Sequence, residues 1–317
     1  MKKSFGITLV LIAICVVTAC LNPNFLGAYN LKHLVNWIAL YGIISIGAAL
    51  VITTGGIDLS IGSAVGFIGT LLPWLLVQQK WSVPAALAAS LVVSLAIGLF
   101  HGFFVTKVKL QPFVVTLCGL MIYRGAGRCL THDGDTGFGN NYPGLGQLTE
   151  AHIPLGGGYQ LPISFVFLVV VAVAASVFLH QTVMGRHLMA LGRNEEAARY
   201  SGVRTERLQI LAYVLCALIA GFGGVLFALD VNSVQPASQG AFYELYAIAG
   251  AVLGGCSLRG GEASIFGVII GTAVMRVLYN SINLLGLPTQ SEFVIIGVVL
   301  LMGVTADETF RRWRKAS

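Results

Sequence analysis

The chain has few residues able to do chemistry, and several of them interrupt long apolar runs. The stretch TTGGIDLSIGS, residues 53–63, sets two glycines, a carboxylate and two serines between two such runs. Two uses fit these residue types. Gly55 and Gly56 can end a helix, because glycine takes the left-handed conformation that a helix C-terminus favours. Asp58 can then cap the next helix by accepting N–H groups of its first turn. Alternatively, a polar helix break near membrane depth presents Asp58, Ser60 and backbone groups to a polar solute. The two uses are compatible. A second cluster, GGCSLRGG at residues 254–261, echoes the first as GG-x-[D/S]-L and puts Gly254 and Gly255 at another helix end.

Further polar residues lie within or near apolar runs: Asn36, His101, Arg124, Arg128, Glu244, Arg276, Asn280 and Asn283. Ionisable groups at such positions are costly and usually face a cavity or a partner. Arg276 and Asn280 share a helix face, where pathway lining and interhelical hydrogen bonding are both good accounts. Asp58, Ser60, Glu244, Arg276 and Asn280 are thus the candidates for a solute pathway. Arg124 and Arg128 are one turn apart, and snorkelling to the interface explains them. Trp37, Trp74 and Trp81 fall near span ends, where interface anchoring is the expected role.

Catalytic signatures are missing from the sequence. It contains no GxxxxGK[ST], HExxH or GxSxG and no His/Cys cluster, and its carboxylates are scattered over loops. The chain therefore reads as a non-enzyme without a phosphate loop or a metal set of its own. Asp133, Asp135 and Glu150 share a loop with several glycines, but without EF-hand spacing they suit an ordinary turn-rich segment. The six cysteines all lie in or beside apolar runs without CxxC spacing and act as small apolar fillers.

The elements that must position these residues follow from composition. Of 317 residues, 56% are hydrophobic and only 10% charged, with a mean hydropathy of +0.83. Soluble domains carry about 25% charged residues. The apolar runs are roughly twenty residues long, enough to cross about 30 Å of hydrocarbon, and they lack the strict alternation of a barrel. The sequence predicts an all-α, polytopic membrane helix bundle with about ten spans. These spans are 5–21, 36–54, 58–77, 83–106, 112–130, 161–180, 208–229, 243–257, 263–284 and 291–306. GxxxG spacings at Gly62/Gly66, Gly98/Gly102, Gly250/Gly254 and Gly267/Gly271 suit close helix packing.

Orientation follows from Lys and Arg. With both termini cytoplasmic, the inner segments hold Lys2, Lys3, Lys107, Lys109, Arg186, Arg193, Arg199, Arg204, Arg207, Arg259, Arg311, Arg312, Arg314 and Lys315. Only Lys32 and Lys80 fall in outer loops. That asymmetry obeys the positive-inside rule and argues against reading the net charge of +6 as nucleic-acid binding. It also requires the short, glycine-rich eighth span. The longest outer loop, about 131–160, contains no Lys or Arg. At the N-terminus, Lys2-Lys3, an apolar stretch and VTAC ending at Cys20 resemble a lipoprotein signal, but in a multispan chain an uncleaved first span is the better reading.

Residues 184–208 form the main polar inner segment. Within it, Asn194 is a good N-cap, Glu195 and Glu196 fill an acidic first turn, Arg199 sits toward the C-terminal end and Gly202 stops the helix. A short surface helix is expected there.

Several stretches together resemble the permease subunits of bacterial carbohydrate ABC importers of the ribose/xylose/arabinose/galactose type. They are GGIDLSIGS, VKLQPFVVTLCGLMIYRG (108–125), GRNEEAARYSGV (192–203), YELYAIAGAVLGGCSLRGGEASIFGVIIG (243–271) and NSINLLGL (280–287). The resemblance covers nearly the whole chain, read as a single transmembrane domain over residues 1–317. Departures are Cys256 for a usual threonine, Arg193 for a common glycine and Tyr246 for a frequent aspartate. The resemblance implies an inner-membrane subunit that imports a monosaccharide or similar polar solute. It implies a coupling role for Arg193, Asn194, Glu195, Glu196, Arg199 and Gly202, docked on a separate ABC ATPase that holds the ATP and Mg. It further implies a second permease subunit, identical or closely related, and a periplasmic sugar-binding protein. The alternatives are an autonomous secondary transporter or channel, for which Asp58 and Glu244 would be the acidic relay, and a membrane-anchored enzyme.

Overall fold

The computed structural model describes residues 2–139, 141–299, 301, 302 and 305. Its helices are α1 (Lys2–Leu21), α2 (Ala28–Thr53), α3 (Ile61–Pro73, continued as a π-helical turn Trp74–Gln78), α4 (Val83–Thr106), α5 (Pro112–Thr131), α6 (Pro143–Glu150), α7 (Ile163–Gln181), α8 (Val183–Arg193), α9 (Glu195–Tyr200), α10 (Thr205–Val231), α11 (Tyr243–Leu253) and α12 (Ile265–Leu284). Residues 292–299 are helical as well. Strands β1 (His152–Gly156) and β2 (Tyr159–Pro162) form an antiparallel hairpin.

Helix α2 is apolar on every face, so it belongs at the centre of a bundle. It packs against α7, α10, α11 and α12, while α10 also holds α3 and α4. The apolar window of α2 is 83% buried, against 28% in α4, α5 and α7. Those three helices leave large apolar side chains such as Leu91, Met121 and Val170 exposed, which is the pattern of a lipid-facing rim. Among the described residues, seven helices are long and apolar enough to cross a membrane: α2, α3 with its π-helical turn, α4, α5, α7, α10 and α12.

Several expected boundaries shift, each for a physical reason. Helix α2 starts at Ala28 rather than at 36, because helical geometry continues past Asn30, Lys32 and His33, where hydropathy falls. Helix α3 starts at Ile61 rather than at 58, because Asp58 is engaged within the break. The expected eighth span is shorter still: α11 has 11 residues and reaches only part-way across. In the tenth expected span and beyond it, Leu300, Gly303, Val304 and the basic residues Arg311, Arg312, Arg314 and Lys315 lie outside the described residues, as does Asn140 in the loop 131–160.

That loop is more ordered than a turn-rich connector. It carries α6 and the hairpin, the one departure from all-α structure among the described residues, whose turn uses Gly156, Gly157 and Gly158 at φ of 87°, 60° and 83°. Tyr142 donates to the Leu76 carbonyl at 2.7 Å, and Thr136 pairs with Val234, so the loop is clamped to α3 and to the chain after α10.

Two of the GxxxG spacings pack on each other. Gly250 of α11 and Gly254, which caps it, meet Gly271 and Gly267 of α12, and a methyl on Gly254 would lie 2.5 Å from the Val268 nitrogen. Gly254→Val is therefore expected to destabilise the protein by about 1–3 kcal/mol through overpacking. Gly125→Ala, at a position with open space, should leave stability unchanged or slightly raised. Thermal unfolding of the two variants in detergent measures the difference.

Candidate functional site

Both helix breaks converge with the α8–α9 segment at one end of the bundle, where Lys107, Lys109, Arg193, Arg199 and Arg259 also lie. Thr54 ends α2, and Gly55 follows at φ 82° with its N–H on the Ile52 carbonyl. After α11, Gly254 is followed by Gly255 at φ 92°. The second break then folds onto the first: Gly261 donates its N–H to the Thr53 carbonyl at 2.9 Å. Gly192, next to last in α8, presses against both partners of that bond. Gly260, at φ 83°, sits so close that a methyl would lie 2.7 Å from the Gly55 nitrogen and 2.6 Å from the Gly192 carbonyl oxygen. Only residues without side chains fit such an approach, and the positive φ values of Gly260 and Gly261 favour glycine independently.

Within this site, helix α8 is the element that sequence reasoning missed. Thr182 caps it by accepting the Gly185 N–H at 3.0 Å, and Leu188 and Leu191 are buried while Arg186, His187 and Arg193 are not. The amphipathic spacing was present in MGRHLMALGR but was short enough to read as connector. Asn194 separates α8 from α9 and accepts the Ala197 N–H at 2.9 Å. Glu195 and Glu196 occupy the first turn, Arg199 bonds Glu195 at 2.8 Å, and Gly202 has φ 83°. Gln209 of α10 also donates to Glu195, at 3.2 Å. A cavity of about 400 Å³ lies between α9, the α4–α5 turn and the first break, lined by Gly55, Gly56, Lys109, Glu195 and Arg199 among others. Beside it, Lys107 pairs with Glu206 at 2.5 Å.

Asp58 does not cap α3 in the expected way. Its Oδ1 accepts the N–H and the hydroxyl of Ser60, at 2.8 and 2.7 Å, closing a turn before the helix begins. Its Oδ2 faces Cys216 Sγ at 3.7 Å and His101 Nδ1 at 3.8 Å. His101 Nε2 in turn meets the Tyr123 hydroxyl at 3.0 Å. The carboxylate is 3% exposed and is drawn toward polar groups of α4 and α10 rather than toward the first turn of α3. Asp58 and Ser60 thus tie the break into the bundle.

Glu244 lies in the first turn of α11 against Gly62, so it shares the start of α3 with Asp58 and Ser60. Arg276 and Asn280 lie apart from that group. The Arg276 guanidinium sits over the rings of Tyr41, Tyr279 and Trp37, at 4.5, 4.5 and 5.2 Å. Trp37 is therefore a packing partner of a buried cation, and the interface-anchor expectation is corrected. Asn280 exchanges hydrogen bonds with Asn30 of α2, at 2.7 and 3.2 Å, which is interhelical bonding. Neither does Arg124 snorkel: it donates to the Ala237 carbonyl at 2.8 Å. Arg128 makes a paired contact with Asp133, at 2.6 and 3.0 Å, which holds the Asp133 carboxyl below the usual range.

Asn194→Ala should remove about 1 kcal/mol of local helix stability. Hydrogen exchange of the amides of residues 197–200 is expected to quicken about fivefold, with α10 unchanged.

Comparison with known proteins adds three findings. The family described as "Branched-chain amino acid transport system / permease component" matches residues 30–304. The ribose import permease protein RbsC of Escherichia coli (strain K12) is 36% identical over 308 residues, 96% of this chain and 93% of that protein. RbsC of Bacillus subtilis (strain 168) is 35% identical, covering 96% and 92%, and the L-arabinose ABC transporter permease protein AraH of Azospirillum brasilense is 31% identical, covering 98% and 89%. No solved structure gives a significant match.

Proposed function

The chain belongs to the branched-chain amino acid transport system / permease component family, a permease subunit of an ABC importer, and on that premise we propose that its solute is a monosaccharide or a similar polar molecule. It is a multi-pass protein of the inner (cytoplasmic) membrane. The relatives' names supply the solute class, and the nearly complete coverage of their length supports carrying it over. We read residues 1–317 as one transmembrane domain, with the loop 184–208 cytoplasmic and the loop 131–160 periplasmic. Two such subunits, identical or paired with a close relative, enclose the pathway. A periplasmic sugar-binding protein delivers the solute, and a separate ABC ATPase binds ATP and Mg and hydrolyses the nucleotide.

The observation that carries the coupling assignment is the convergence at Gly192. The α8–α9 pair presents Glu195, Glu196 and Arg199 outward, while Gly192 at its junction touches Thr53 at the end of α2 and Gly261 in the break between α11 and α12. A push on α9 therefore reaches the end of α2 and the break between α11 and α12 through backbone contact at Gly192. Alternating access follows if the ATPase binds the inward- and outward-facing states with different affinity in its two nucleotide states. The short capped helix suits a lever seated in a partner's groove.

Charge reversal at the outward face tests this. In the double variant Glu195→Lys/Glu196→Lys, recovery of the ATPase by affinity purification of this chain is expected to fall about tenfold or more, from like-charge or unmatched contacts. Undiminished assembly together with undiminished ATP-driven uptake would remove the coupling assignment.

A further inference from the structure

The segment between α10 and α11 has no regular structure, yet it must reach deep into the membrane. Helices α2 and α10 have 26 and 27 residues, and at about 1.5 Å per residue each spans the full bilayer. Helix α11 has 11 residues and ends beside the Thr53–Gly261 junction at the basic end. Its start at Tyr243 therefore lies near the midplane, and residues 232–242 descend to it from the opposite surface. Irregular backbone at that depth is tolerated only when buried in protein or lining a polar cavity. Half-helix N-termini at the midplane are where membrane transporters gather polar solutes.

The tip of this segment rests on α3, where Gly62 and Gly66 let the backbone of Gln239 and Gly240 approach within contact. Arg124 of α5 holds the descending strand at the Ala237 carbonyl. Three side chains at the tip stand out by unmet polarity or backbone strain. Glu244 is 7% exposed, and its Oε2 has no hydrogen-bond partner. The Gln239 Nε2 is likewise buried and unpartnered. Phe242 adopts φ 64°, a left-handed conformation rare for an aromatic residue, and keeps half of its surface exposed while its ring meets Phe293 at 5.4 Å. A buried acceptor and a buried donor left unpaired are each costly, and backbone strain of this kind gathers at functional positions.

We propose that Gln239, Phe242 and Glu244 form a midplane subsite for a neutral polyhydroxylated solute, an assignment that rests on the sugar-importer reading. One solute hydroxyl donates to Glu244 Oε2, a solute oxygen accepts from Gln239 Nε2, and the C–H face of the solute lies against the Phe242 ring. A hydroxyl both donates and accepts, so it complements the two unpaired groups, whereas an apolar solute would leave both unsatisfied.

The test uses the complete transporter, this chain with its ATPase and binding protein, in proteoliposomes. The probes are D-ribose, D-xylose and L-arabinose and the monodeoxy analogues of each. Glu244→Gln and Gln239→Leu are expected to lower ATP-driven uptake per assembled complex about 10- to 100-fold. They should also shrink the preference for the taken-up sugar over one of its deoxy analogues, a change that general loosening of the bundle would not produce. Uptake that falls equally for sugar and analogues, or does not fall, overturns the subsite. If Glu244→Gln does not assemble, Gln239→Leu decides by the same ratio. A wild-type complex that takes up none of the sugars defeats the sugar reading itself, an outcome distinct from a failure confined to the variants.

Discussion

One backbone hydrogen bond, from the Gly261 N–H to the Thr53 carbonyl, ties together the two places where the bundle gives up helical continuity. Every peptide group in hydrocarbon needs a partner, and a broken helix leaves several without one. Here the breaks satisfy part of that need on each other. The price is close approach: Gly192, Gly260 and Gly261 all sit where a side chain would collide. Because α8 ends in the same cluster, the surface segment is in backbone contact with the membrane interior. A movable element that touches both broken helices is what an externally driven gate requires, since packed cores switch between arrangements rather than deform continuously.

Polar groups inside the bundle divide by whether the protein itself satisfies them. Asn30–Asn280, Asn36 with Asp230 and Ser164, and Asp58 with Ser60 are matched pairs that fix helix positions. Arg276 finds π faces in place of a carboxylate, a cation–π arrangement that stabilises a desolvated guanidinium. Like Arg276 Nε and His101 Nδ1, the Glu244 carboxylate and the Gln239 amide each retain an unanswered hydrogen-bonding atom. They occur where the chain is least regular and α3 is lined by glycine, so the strain and the unmet polarity coincide.

Much of this was legible in the sequence. Hydropathy located the seven long spans, because solvation by lipid acts on each apolar run separately. The cap at Asn194 and the stop at Gly202 were equally readable, since both depend on neighbours a few residues away. What escaped was set by tertiary contact. Helix α8 owes its order to burying Leu188 and Leu191 against the bundle. Asp58 was read as a cap for its own helix or as a group facing a polar solute, but His101 and Cys216, distant in sequence, draw one of its oxygens away. Gln239 and Phe242 carried no local signal, because only the descent of residues 232–242 onto α3 gives them a role.

The central claim is that this chain is a passive, gated conduit moved from the cytoplasmic side by another polypeptide. Its most direct test is solute accumulation by the purified chain alone, reconstituted in vesicles under an imposed proton or sodium gradient without nucleotide or partner proteins. The account predicts that labelled sugar inside never exceeds its outside concentration. Concentration of the sugar against its own gradient, coupled to either ion, would contradict it.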